Sequence, residues 1–136
     1  MGKKKIVLDT NIFISALGFN GPEKEILEKC IRGEFTLYYS NPILQELSRV
    51  LEYPKFNFSE AQKDALKLII GEIGCLVNSG LEFNIEIDDP SDKIFIEVAI
   101  VSGSDFLVTG DKHLLKIRNI GKTSIVKSSE FLKSCK

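Results

Sequence analysis

Two rhythms of apolar residues alternate along this chain. Ile6-Val7-Leu8 is a short unbroken apolar run, as expected of a central parallel strand buried on both faces. Pro22 suits the first turn of a helix that runs to about Arg32, with Ile26, Leu27, Cys30 and Ile31 at helical spacing and Gly33 as its stop. Phe35 to Tyr39 predicts the second strand. Ser40 then caps a helix carrying Ile43, Leu44, Leu47, Val50 and Leu51, which the Tyr53-Pro54 step ends.

Ser59-Glu60-Ala61-Gln62 has the form of a capping box. It opens a helix with Ala65, Leu66, Ile69, Ile70 and Ile73 on one face, closed by Gly74. Cys75 to Ile87 is expected to hold one or two short strands, and Asp88-Asp89-Pro90-Ser91 a turn. From Ser91 or Asp92 a helix runs with Phe95, Val98, Ala99 and Val101 inward, stopping at Gly103. Phe106-Leu107-Val108-Thr109 is another buried-strand run, and Asp111 starts a short helix containing Leu114 and Leu115. Ser124-Ile125-Val126 is the last strand, and Glu130 to Leu132 lie in a terminal helix. Alternating strands and helices predict an α/β sandwich around a mostly parallel sheet. At 136 residues the chain fits one domain, residues 1–136.

Composition narrows the function. Charged residues make up 27% and the net charge is −1, with a pI near 5.9, so a strongly electrostatic, non-specific DNA binder is disfavoured. The longest apolar stretch, Leu66 to Val77, is broken by Lys67, Gly71, Glu72 and Gly74 and cannot span a bilayer. The first residues run directly into a strand with no apolar signal region, so a cytoplasmic location is expected. Cys30, Cys75 and Cys135 are far apart and form no Cys-x-x-Cys pair, which disfavours a disulfide or zinc framework. His113 is the sole histidine, which argues against Ser-His or Cys-His hydrolysis.

Four acids stand where an element is about to begin or end, or on a helix beside one: Asp9, Glu46, Asp92 and Asp111. Each has an ordinary reading. Asp9 and Asp111 suit helix caps, Asp92 a first helical turn, and Glu46 a solvent-facing stripe with Pro42 and Arg49. In open sheets, however, active groups gather beyond the carboxyl ends of the strands, where Asp9 and Asp111 fall. Carboxylates buried together disfavour one another's ionisation, and a hard divalent cation removes that cost. Oxygen ligands gathered from separate elements suit Mg²⁺ or Mn²⁺ and metal-dependent phosphodiester chemistry.

Four stretches in order carry a resemblance. They are Val7-Leu8-Asp9-Thr10-Asn11-Ile12-Phe13-Ile14-Ser15; Ser40-x5-Glu46-Leu47-x2-Val50-Leu51; Asp89-Pro90-Ser91-Asp92-x2-Phe95-x-Glu97-x-Ala99; and Asp105-Phe106-Leu107-Val108-Thr109-Gly110-Asp111-x2-Leu114-Leu115. With these the chain resembles the PIN domain family, in particular the bacterial and archaeal branch that supplies the toxins of toxin–antitoxin pairs. The resemblance implies a three-layer α/β/α sandwich and a metal-dependent endoribonuclease. It assigns Asp9, Glu46, Asp92 and Asp111 to catalysis and to binding Mg²⁺ or Mn²⁺, with Asn11, Thr109 and Ser15 as polar supports. The partners it implies are RNA, an antitoxin protein and a second copy of the chain. One departure stands out: relatives often carry a further acid after the position of Asp92, and here that residue is Lys93.

Two alternatives come from other classes. A catalytically weak or inactive PIN-like domain would bind RNA or protein without turnover. A receiver-type signalling domain also has strand-end acids on a parallel sheet, but needs paired acids near the first strand, where this chain has only Asp9-Thr10-Asn11.

Overall fold

The computed structural model describes residues 2–78 and 92–135. Ile6, Val7 and Leu8 end strand β1 (Lys4–Leu8), and all three are buried. Their unbroken apolarity follows from position, since β1 lies between β2 (Phe35–Tyr39) and β4 (Phe106–Val108) and runs parallel to both. Four of the pairings, joining β3 (Cys75–Leu76), β2, β1, β4 and β6 (Thr123–Val126), are parallel. The antiparallel edge strand β5 (Asn119–Ile120) joins β6 through Gly121-Lys122, with Gly121 at φ +56°. The sheet order is β3-β2-β1-β4-β6-β5.

Helix α2 (Pro22–Ile31) lies on the connection from β1 to β2, and α5 (Lys93–Ser102) on the connection from β3 to β4. These crossovers run in opposite directions along the sheet. Right-handed connections therefore place α2 and α5 on opposite faces, and three layers result. At the far end of the chain, α7 (Ser128–Ser134) packs on α2. Its buried Phe131 meets Phe35 at 4.9 Å and Phe106 at 5.1 Å, both edge to face, and so straddles β1.

Several predicted elements have the expected bounds. Ser40 caps α3 (Asn41–Leu51), and Ser59 and Gln62 form a complete capping box on α4 (Glu60–Ile73). Other features differ. Helix α1 (Thr10–Gly18) is an element beyond those predicted, and it buries Ile12, Phe13, Ile14 and Ala16. Helix α4 buries the stripe Lys63, Leu66 and Ile70 and leaves Ala65 exposed. Lys63 is accommodated because its ammonium binds Glu52 at 2.9 Å and Glu60 at 3.0 Å. Ile31 and Val101, expected inward, are exposed in the last turns of α2 and α5, beside the buried faces formed by Ile26, Leu27 and Cys30 and by Phe95, Val98 and Ala99. The Asp88-Asp89-Pro90-Ser91 turn and most of the stretch after Leu76 lie outside the described residues. Among the described residues no helix is long and apolar enough to cross a membrane.

Candidate functional site

The pairing of β1 with β4 brings two of the four acids together. Leu8 is in register with Val108, and the backbone N–H of Asp9 donates to Val108 O at 3.1 Å. The Thr109 hydroxyl donates to Asp9 Oδ2, and Thr109 Oγ1 accepts from Asp111 N at 2.9 Å. Asp9 Oδ1 also accepts from Ile12 N at 3.1 Å, capping α1. Asp111 Oδ1 accepts from His113 N at 2.7 Å, capping α6 (Lys112–Ile117). The capping reading of both acids is therefore realised alongside their convergence. Burial is the main cause of a raised Asp9 pKa, from 3.8 to about 6; the Thr109 and Ile12 bonds oppose it and the charge of Asp111 adds to it.

Glu46 and Asp92 approach from the other elements. Glu46 projects from α3 and is held by Arg49, one turn on, at 2.5 Å. Asp92 directly precedes α5 and is buried, yet its side chain does not cap that helix. All four acids line one open cleft of about 200 Å³ beyond the carboxyl ends of β1 and β4, with Thr10 and Asn11 beside them and Val50 and Phe95 as apolar wall. Among the described residues no three acidic, histidine or cysteine side chains already converge tightly enough to hold an ion. Asp9, Asp111 and Glu46 are each bound to neighbours of their own: Thr109 and Ile12, His113 N, and Arg49. The donors themselves are oxygens, the chemistry that hard divalent cations select. The buried Thr10 hydroxyl has no hydrogen-bond partner among the described residues, so it adds an uncommitted oxygen to the wall.

A PIN domain family model matches residues 5–113. The chain belongs to the PIN domain family. This PIN domain is 33% identical over 124 residues to the uncharacterised protein MJ1680 of Methanocaldococcus jannaschii, covering 88% of this chain and 79% of that protein. Its fold is similar to a solved chain of VapBC2 from Rickettsia felis, crystallised bound to a DNA fragment from their promoter. That match has a TM-score of 0.62 at 18% identity, over 90% of this chain and 98% of the other. It is also similar to the PIN domain endonuclease Utp24, with a TM-score of 0.55 at 16% identity, over 90% of this chain and 84% of the other. The mostly parallel sheet and the nuclease-type fold are those of the family.

The remaining residues of interest in the PIN domain fall around the cleft. Asn11 is exposed at its rim and also lines a second cavity, of about 360 Å³, which Ser15, Thr109 and Ser128 share. Thr109 is fully buried and links Asp9 to Asp111. His113 is exposed and Lys93 half-buried, and neither lines the cleft. Asp89 lies outside the described residues. Sequence reading passed over Thr10, and it set Glu46 and Arg49 on one stripe without pairing them. Thr10 carried a signal in its position between Asp9 and Asn11, and the pair in its i, i+3 spacing.

Proposed function

We propose that this PIN domain is a metal-dependent endoribonuclease that hydrolyses RNA phosphodiester bonds, acting as the toxin of a toxin–antitoxin pair in the cytoplasm. The observation that carries the reading is the lining of one cleft by Asp9, Glu46, Asp92 and Asp111 at the carboxyl edge of the sheet. These four residues are the proposed holders of Mg²⁺ or Mn²⁺, with Asn11 and Thr109 as supports and Ser15 further out. Such an ion supplies Lewis-acid polarisation of the phosphate and acidifies a bound water. Thr109 fixes the orientation of Asp9 by donating to Oδ2 and leaves Oδ1 to the α1 backbone, so Asp9 keeps one direction toward the cleft. Burial raises the Asp9 pKa to about 6, so a cation binding there competes with a proton as the pH falls toward and below that value. An antitoxin protein and a second copy of the chain are the proposed protein partners.

Cleavage of an RNA oligonucleotide in Mn²⁺, Mg²⁺ or EDTA, comparing wild type with Asp9→Asn, tests the reading. Cleavage in metal alone, lost in the variant, is expected; metal-independent cleavage overturns it. A second reading, an RNA- or protein-binding PIN domain without turnover, is favoured by one observation: Glu46 is held by Arg49. It predicts RNA binding with no cleavage in any of the three conditions.

A further inference from the structure

The net charge of −1 conceals a division along the chain. Residues 112–136 carry seven lysines and arginines against Glu130 alone, whereas residues 1–111 carry eleven against eighteen acids. The fold lays this division along one edge of the sheet. Strands β1, β4 and β6 are parallel, so their carboxyl ends share an edge. Asp9 follows β1 and Asp111 lies just beyond β4, but the residue that follows β6 is Lys127. The antiparallel β5 brings Arg118 to the same edge, where Arg118 O accepts from Ile125 N at 2.8 Å. From β1 to β5 the edge changes from acidic to basic.

Adjoining hollows follow that edge. The acid cleft shares Asn11 with the cavity of about 360 Å³, which in turn shares Lys127 with a third of about 430 Å³. Leu115, Arg118, Ser124 and Lys127 wall the third, and among the described residues Glu130 is its one acid. Lys112 and Lys116 are exposed and share the helical stripe of Leu115. Four cations therefore stand here against Glu130, and among the described residues none of the four forms an ion pair. The middle cavity is balanced, Lys127 against Glu23, with Ser15, Ser128 and Ser129 adding hydroxyls. Lys122 takes no part, since it faces Asp105 at the opposite edge, 3.9 Å away.

Cations leading away from a cleft suited to phosphodiester chemistry match a ligand charged at regular intervals, the phosphate backbone of a nucleic acid. With strands about 4.8 Å apart, Lys127 lies ~10 Å and Arg118 ~14 Å along the edge from β1. At the ~3.4 Å rise of a stacked strand, these are about three and four nucleotides. We infer that Arg118 and Lys127, with Lys112 and Lys116 beside them, form a track for the backbone of an RNA substrate on one side of the bond held at the acids. This rests on the ribonuclease reading, which supplies the RNA; the cations themselves meet only phosphate. It adds that the substrate must continue several nucleotides past the cut on that side, and names the residues that hold it.

Fluorescence anisotropy of a labelled 12-nucleotide RNA (about three times the track's reach) in EDTA, across a salt series, reads the track without cleavage. Wild-type affinity should fall steeply with salt. Arg118→Gln and Lys127→Gln should each weaken binding several-fold and flatten the salt slope by about 0.7. Lys3→Gln, at the amino edge of the sheet, should change neither. Arg118→Gly separates charge from folding. Arg118 has φ +66°, a region that glycine enters without strain, so this variant should melt within a few degrees of wild type and lose as much affinity as Arg118→Gln. No binding by wild type, a salt-independent affinity, or binding unchanged in both Arg118→Gln and Lys127→Gln overturns the track. Polyglutamate that displaces the RNA at equal charge concentration also overturns it, and assigns the surface to an acidic protein. Wild type that shows all the expected losses but fails to cleave the RNA in Mn²⁺ overturns the ribonuclease reading and leaves the phosphate track standing.

Discussion

Asp9 meets three demands at once: it caps a helix, faces Asp111 and is buried. Its raised pKa has a definite sign for stability. Between about pH 4 and 6 the unfolded chain has released this proton while the folded one keeps it, so stability falls as pH rises through that window. Asp9→Asn removes the cost. In EDTA its gain over wild type should grow from nothing near pH 4 to at most about 3 kcal/mol at pH 7, at ~1.4 kcal/mol per unit; urea midpoints at the two pH values check this, and equal gains at both would contradict it. Arg49 gives a second test. Its pair with Glu46 is exposed and worth under ~1 kcal/mol, so Arg49→Gln should barely change stability. It should nevertheless free Glu46 and lower the Mn²⁺ concentration that gives half-maximal thermal stabilisation; an unchanged or raised concentration would count against Glu46 as a ligand. Asp9, Asp92 and Asp111 stood out because each follows a patterned run or opens a helix, whereas Glu46 lies mid-helix and was singled out by the resemblance. The spacing of Glu46 and Arg49 and the position of Thr10 were visible, but the rotamers that join the pair and the surroundings that leave the Thr10 hydroxyl unsatisfied were not.

Among the elements, α4 was the easiest to read because both of its ends carry chemistry. Ser59→Ala should remove half of the capping box and cost about 1 kcal/mol. At the other end, a Cβ on Gly74 would come within 2.6 Å of Ile70 O and 2.7 Å of the Tyr39 ring. Gly74→Ala should therefore cost about 1–3 kcal/mol through overpacking. Denaturant midpoints measure both, and a neutral Gly74→Ala would mean the Tyr39 ring yields freely. Helix α1 was illegible for a physical reason. It is buried on most sides, so Ile12-Phe13-Ile14 shows no polar stripe and resembles a strand run. Ile31 and Val101 misled because periodicity marks a stripe but not its exact width, and both lie at the edge of the buried one.

At the scale of the whole molecule, the alternation of periods foretold the parallel sheet, while the strand order came only from the structure. Strands β3 and β5 are two residues each, too short to leave a pattern. The order matters because the connections diverge between β1 and β4, and a crevice opens where they part. A cation lodged there binds the folded state alone, so Mn²⁺ should raise the melting temperature of wild type and raise that of Asp92→Asn much less. Equal rises in the two would rule out Asp92 as a ligand.

The Asp9–Thr109 bond spans 100 residues of sequence. A ribosome therefore releases Asp9 long before the strand that orients it exists, and contacts of such separation form late because the loop between them must first be closed. Until β4 and β6 have been made, β1 has β2 on one side only, and the crevice between β1 and β4 does not exist. On the proposed ribonuclease reading, this order of assembly keeps the cleft from forming while the transcript is still being translated.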